Sequence, residues 1–547
     1  MARVAVSSAQ EEWDRVVATL DGDPTVSVNM AHECCERWAA DRGRLALTIR
    51  HPGGRDERWT YFDLAREAAR AAAVFADLGL ERGDRVAAVL GRQVEAWIAA
   101  IAAWRSGLVY VPLFAGFGGE ALAQRIQAAG AGTVIVDHES RGSVEDACRA
   151  LGRELEVITV VGERGVGLHR GDRSFWAEMA RQGPHGPRVE TAPEETAVVM
   201  FTSGTTSVPK GCVIPHSGFI SLLPWFDRSS ALTEADVLFT TTDPGWSFGL
   251  LATGATAMSR GLPRVMYSGP FDPRAWFEVI ESEQVTHIAS VPTAYRSLVA
   301  AGRRYGMPSC LTGATSAGEP LDPDTVKAWI ELTGSPIRDG YGQTELGMMV
   351  ANLEGDEIVP GALASVVPGW EVRLLGEDDR EVVGPGRGEM AFRSRPFQLT
   401  ATYLNRDDLW SERWVDDEWF RTTDVAERDA EGRYWFVGRD DDVIVTAGYN
   451  VGPAEIESVL LEHDAVAEAA VVAAPDPERG GSAVRAVLVL AAGRAPSSKL
   501  TEELQEAVRA GIGRHAYPRI VEYVDSLPKT ETGKIRRAQL RSEFAAR

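Results

Sequence analysis

An apolar run, Val199-Met200-Phe201, opens into Thr202, Ser203, Gly204, Thr205, Thr206, Ser207, Val208, Pro209, Lys210 and Gly211. The pattern reads as a buried strand followed by a loop dense in hydroxyl, backbone N–H and ammonium donors. Such a loop suits the wrapping of a polyphosphate. It is not a Walker A loop, which needs Gly-Lys followed directly by Ser or Thr, whereas here Lys210 precedes Gly211. Three further clusters carry polar chemistry. Asp339-Gly340-Tyr341-Gly342-Gln343-Thr344-Glu345 follows a strand-like run. That places it at a strand's carboxyl end, where open α/β sheets bind ligands. A Thr hydroxyl beside the Glu345 carboxylate can serve a phosphate and its Mg2+, an ion that prefers oxygen. Arg421-Thr422-Thr423-Asp424, followed by Arg439, offers a carboxylate for vicinal ribose hydroxyls. A solvated ion pair is an equal reading of that segment alone. The stretch from Leu527 to Arg537 sets Lys534 in a Gly-containing turn. By itself it reads as a basic surface turn, though a mobile lysine can also be delivered to a distant site as a point charge.

The rest of the chain supplies elements to position these groups. Its 547 residues are 44% hydrophobic and 25% charged, an ordinary globular composition with length for a large core. Fifty-seven basic against 79 acidic residues give a net charge of −22, which argues against general binding to nucleic acid or anionic membrane. The five cysteines form no C-x-x-C pair, and reduced thiols in the cytoplasm are expected. No apolar signal segment is evident, and no run is long enough to span a bilayer. From Trp59 onward, short apolar strands alternate with amphipathic helices: helix 64–80, strand 85–90, helix 94–104, strand 108–113, helix 120–129 and strand 133–137. The rhythm resumes with strands at 197–202, 237–242, 285–291 and 335–339. This alternation predicts an α/β fold of parallel-rich sheets covered by helices. Segment 165–193 reads as a surface connection, and 361–393 as a small β subdomain. Three consecutive aspartates, Asp440 to Asp442, suit a linker. The expected organisation is therefore a large domain over 1–439 and a small α+β domain over 440–547.

The four clusters, in this order, resemble the adenylate-forming superfamily of acyl-CoA synthetases, adenylation domains and luciferases. Gly245-Trp246, Ser316-Ala317-Gly318-Glu319-Pro320, Asp441-Asp442 and Ala447-Gly448-Tyr449 are most similar to the acetyl-CoA and medium-chain acyl-CoA synthetase branches. The resemblance implies ATP, Mg2+ and CoA as co-substrates and metal, and a small-molecule acid as substrate. It assigns Thr202, Ser203, Gly204, Thr205, Thr206 and Lys210 to the phosphate loop. Gly318, Glu319, Pro320, Asp339, Gly340 and Tyr341 would line the adenine, with Gln343 in the same site. Thr344 would touch the α-phosphate, Glu345 would hold Mg2+, and Asp424 and Arg439 would hold the ribose. Lys534 would bridge the acid and the α-phosphate. Asp441 would be the hinge of a mobile C-terminal domain, and Gly448, Tyr449 and Asn450 would line the thiol tunnel.

Departures from the family pattern are Ser207 and Thr423, each in place of Gly, and Asn450 in place of Arg. Asn450 keeps open an acceptor other than CoA, such as an amine or a carrier protein, or an activated oxyacid that is not carboxylic. Acetate-specific relatives carry Trp where Gly342 stands, so an acid larger than acetate is expected. Trp246, Val291, Thr293, Gly313 and Ala314 are the expected neighbours of its acyl group.

Overall fold

The structure, a computed structural model, describes residues 9–53, 56–161, 168–202, 209–376, 379–394, 396–439, 442, 444–446, 449–475, 482–511, 516–529 and 535–545. Two large sheets dominate. One has nine strands, in the order Ser365–Val366, Gly347–Ala351, Ile337–Gln343, Gly313–Ala317, His287–Ser290, Leu238–Thr240, Arg264–Tyr267, Leu45–Arg50 and Asp56–Thr60. The other has eight, in the order Thr402–Tyr403, Lys210–Pro215, Thr196–Thr202, Val109–Leu113, Arg85–Val89, Thr133–Asp137, Glu156–Val160 and Arg173–Ser174. The inner pairings of both are parallel and the outer ones antiparallel at the ends nearest the clusters described above.

Local sequence explains the elements. Val109–Leu113 is buried at every position, as a strand covered on both faces must be. The helix Val94–Ser106 is buried from Val94 to Trp104 and packs its indoles, Trp97 and Trp104, into the largest apolar cluster. It stops at Gly107, whose φ of 69° suits glycine at a helix end. The helix Tyr61–Asp77 starts on a capping box between Thr60 and Asp63.

A third, antiparallel sheet follows: Trp370–Leu375, Gly386–Ser394, Trp419–Arg428 and Trp414–Val415, with Tyr434–Arg439 paired to Trp419–Arg428. The tail contains the hairpin Ile444–Thr446 and Tyr449–Val451, the helices Pro453–Leu461, Ser498–Gly511 and Arg537–Ala545, and the sheet Val466–Pro475, Ser482–Leu490, Ile520–Tyr523. Its apolar residues, Ile456, Leu460, Val471, Leu488 and Leu504 among them, form a cluster of their own.

Two expectations change. The strand expected at 335–339 runs on as Ile337–Gln343, so Tyr341 and Gln343 belong to the strand itself. An antiparallel partner, Gly347–Ala351, supplies the ladder that extends it. Segment 165–193 is more than a surface connection, because it contains the helix Phe175–Ala180, with Phe175 and Met179 buried. Polarity and Gly/Pro content concealed those two anchors. All five cysteines are free thiols. Among the described residues, no helix is long and apolar enough to cross a membrane.

Candidate active site

The alternation of strand Ile337–Gln343 decides what faces the site. Asp339, Tyr341 and Gln343 share one face. The Tyr341 hydroxyl donates to Asp424 Oδ2 at 2.6 Å, and Gln343 Nε2 donates to the same oxygen at 2.5 Å and to Thr422 O at 3.0 Å. Burial raises the Tyr341 phenol far above its ordinary range, so it stays a donor. Its ring stands between Phe392 and Phe436, with centroids at 6.2 and 6.0 Å. Arg439 pairs with Asp424 across neighbouring strands. Two side chains that donate to one carboxylate, Tyr341 and Gln343, thus meet at the buried Asp424.

Asp339 stands beside Ser316 in the strand register, and its enclosed position pushes its pKa up to about 7. Gly318, Glu319 and Pro320 follow the carboxyl end of strand Gly313–Ala317. Glu319 Oε2 accepts a 2.8 Å hydrogen bond from Thr293 Oγ1, which ties this segment to the start of helix Pro292–Tyr305. Val291 precedes that helix as its N-cap.

On the opposite side, Lys210 opens its strand directly across from Thr202. Lys210 Nζ lies 5.3 Å from the centre of the Tyr403 ring, a cation–π contact. The Tyr403 hydroxyl donates to Glu345 Oε1 at 2.7 Å. Burial, with Glu345 beside it, raises the Tyr403 phenol and keeps that proton in place. Thr400 fixes the loop by donating from Oγ1 to Thr344 O at 2.8 Å. An ammonium and a carboxylate therefore flank one phenol, and Glu345 offers the hard oxygen that Mg2+ requires. Gln343 Oε1 is a buried acceptor with no hydrogen-bond partner among the described residues, as expected where a ligand supplies donors.

The expected acyl neighbours do not all meet. Trp246 joins Phe114 and Phe117 in an aromatic group, with centroids 5.4 and 5.9 Å away. Asp243 is beside it, its pKa pushed up to about 6 by burial. Gly313 and Ala314 instead sit at the start of their strand, remote from its ligand-facing end. A Cβ at Gly313 would stand 2.3 Å from the ring of His287, and Ala314 is wholly buried in the core. Gly342 has a different neighbourhood from an open pocket wall. Its Cβ would stand 2.4 Å from Gly347 O and 2.6 Å from Met348 Sδ, and that of Gly340 would stand 2.7 Å from Met348 Cε. Met348 thus lies across both glycines and fills the space their side chains would take.

Ser203, Gly204, Thr205, Thr206, Ser207, Asp441, Gly448 and Lys534 lie outside the described residues, as do the side chains of Arg439, Tyr449 and Asn450. Tyr403, Asp243 and Glu389 escaped the sequence reading. Each is a single polar or aromatic residue in a segment with no motif of its own, and only the return of the chain brings it to the site.

Residues 35–404 match the AMP-binding enzyme family, and residues 455–534 match the AMP-binding enzyme C-terminal domain. The chain is 32% identical to an uncharacterized acyl-CoA ligase of Bacillus subtilis strain 168, covering 94% of this chain and 96% of that protein. It is 34% identical to the mitochondrial acyl-coenzyme A synthetase ACSM4 of Rattus norvegicus, covering 94% and 90%. The crystal structure of the Brucella canis acyl-CoA synthetase is similar, at 33% identity and a TM-score of 0.77, over 100% of this chain and 99% of that one. By these family matches and relatives, the chain belongs to the AMP-binding, adenylate-forming enzyme family.

Proposed function

We propose that this protein is an AMP-forming acyl-CoA synthetase. It activates a carboxylic acid with ATP to an acyl-adenylate, releases pyrophosphate, and transfers the acyl group to CoA. The observation that carries this reading is the convergence of Tyr341 and Gln343 on Asp424, on a strand that runs directly into Thr344 and Glu345, with Lys210 across Tyr403.

Attack of a carboxylate on an α-phosphate brings anions together, so catalysis is mainly positioning and charge neutralisation. Asp424 and Arg439 would fix the ribose, and Asp339 and the Gly318–Pro320 segment the adenine. Lys210, with Thr202, Ser203, Gly204, Thr205 and Thr206, would hold the outer phosphates, and Thr344 the α-phosphate. Glu345 would hold Mg2+, which supplies positive charge to the phosphates. Lys534 would stabilise the developing charge between acid and α-phosphate. We assign 1–439 to the ATP- and acid-binding domain and 440–547 to a lid that turns about Asp441, supported by the separate apolar cluster of the tail. Two reactions in one pocket need two arrangements, and a hinge provides them. The turn would bring Gly448, Tyr449 and Asn450 to the thiol path.

The acid is read as larger than acetate, because Trp246, Phe114 and Phe117 offer an apolar wall. The relatives named for CoA chemistry do not favour the amine or carrier-protein acceptor that Asn450 left open.

The test is AMP release from ATP and Mg2+ over a panel of carboxylic acids, with and without CoA. CoA-dependent AMP with one acid class is expected; turnover indifferent to CoA overturns the thioester step. Lys534→Ala should abolish adenylate formation while sparing thioester formation from a supplied acyl-adenylate. Equal loss in both half-reactions removes Lys534 from its assigned role.

A further inference from the structure

Thr423 has a φ of 60°, a left-handed conformation that glycine adopts freely and a β-branched residue does not. It sits in an interruption of the sheet. Arg421 pairs with Ala391 and Val425 with Glu389, so Thr422, Thr423 and Asp424 together face the single residue Met390. Such bulges re-aim side chains beside active sites. Within the bulge, Thr422 Oγ1 donates to Met390 O at 2.7 Å and accepts from Asp424 N at 3.1 Å. The Thr423 N–H points to a side chain in place of a ladder carbonyl, donating to Glu389 Oε1 at 2.8 Å. The other carboxylate oxygen, Oε2, accepts from Arg421 Nε at 2.9 Å and from its Nη2. Glu389 is 8% exposed, so these bonds are shielded from water.

We propose that Glu389 is a positioning residue: it clamps Thr423 in its left-handed conformation and so aims the Asp424 carboxylate into the site. Its carboxylate grips the bulge at both ends, at Arg421 before it and at Thr423 within it. Asp424, the next residue, then has its direction set by a backbone that could otherwise relax to an extended form. With Gly at 423 the conformation would need no clamp; with Thr423 it does. The proposal rests on the reading of Asp424 as the ribose ligand.

The test measures AMP binding by titration calorimetry, which needs no acid substrate, together with the melting temperature. Glu389→Ala should weaken AMP about tenfold, the scale of one buried hydrogen bond to a charged group. Adding Thr423→Gly to it should restore affinity to within about threefold, because the two changes act on one element. Glu389→Gln, which keeps an acceptor for the Thr423 N–H, should bind close to the native value. The penalty of Glu389→Ala should vanish when 2′,3′-dideoxy-AMP replaces AMP. If Asp424→Ala weakens AMP and Glu389→Ala does not, the clamp is overturned and the ribose reading stands. If Asp424→Ala leaves AMP affinity unchanged, the ribose reading itself falls. A lowered melting temperature with lost affinity that Thr423→Gly does not restore reduces Glu389 to a fold residue and overturns the proposal. Should Glu389→Ala not fold alone, the double variant decides: native affinity supports the clamp, and weakened affinity refutes it.

Discussion

On the side proposed to hold the ribose, Tyr341 and Gln343 lie within a paired strand and donate to Asp424 Oδ2 at 2.6 and 2.5 Å, and Gln343 also donates to Thr422 O at 3.0 Å. On the phosphate side, Lys210 rests against the Tyr403 ring and Glu345 accepts one hydroxyl, from the same tyrosine. Both walls stand on backbone ladders, but the first is tied by two side-chain bonds to one carboxylate oxygen, whereas the second brings Lys210 and Glu345 to opposite parts of the Tyr403 side chain. A nucleoside is the same in substrate and product, so its wall gains from rigidity. Phosphate charge is redistributed as pyrophosphate leaves, and its wall needs groups that can move with it.

The two walls should therefore fail in different ways. Lys210→Ala should lower kcat for adenylation about a hundredfold while leaving AMP affinity nearly unchanged, since charge stabilisation in the transition state is its role. Equal losses in both quantities would erase the distinction. Gly342→Ala should destabilise the protein by about 1–3 kcal/mol, because its Cβ meets backbone as well as Met348. Thermal melting reads this, and an unchanged midpoint would mean that the Gly347 turn yields. Gln343→Ala should weaken AMP about tenfold through loss of a charge-assisted bond, with a smaller change in kcat at saturating ATP. The reverse pattern would move Gln343 to the catalytic wall.

The smallest effect is in pH. Asp339 has its pKa raised to about 7 in the folded protein, against 3.8 ordinarily, so the native state holds a proton that the unfolded chain has released. Its contribution to stability is present below the ordinary value and is lost as pH rises through about 7. Relative to Asp339→Asn, the wild type should therefore lose on the order of a few degrees in melting temperature between pH 5 and pH 8. Parallel curves for the two proteins would show that Asp339 titrates normally.

Much of this was legible in the chain because its signals are local. The strand expected over 133–137 is Thr133–Asp137, and the helix expected over 120–129 is Gly119–Ala129. Both follow from hydrophobic periodicity between Gly/Pro punctuation. Asp424, Gln343 and Glu345 stand out in the sequence because they occur in dense polar motifs after apolar runs. Gly313 and Ala314 were placed by motif position, but a strand separates its two ends by its whole length, and they sit at its start, away from Gly318. Gly342 read as vacant space because a sequence shows a missing side chain and not the residue, Met348, that comes across from the next strand to fill it. Tyr403 and Glu389 were invisible for the same reason. Their importance lies in partners some 30 to 60 positions away.

The methionine laid across Gly340 and Gly342 has a consequence for descent. The strand backbone is a partition: the nucleotide-facing side chains project from one surface, and Met348 covers the other. A lineage that exchanges Met348 for a shorter or bulkier residue recuts the space behind the glycines without touching an atom that meets Asp424. Change on that surface is thus a matter of core packing, and the side chains that reach Asp424 are left in place.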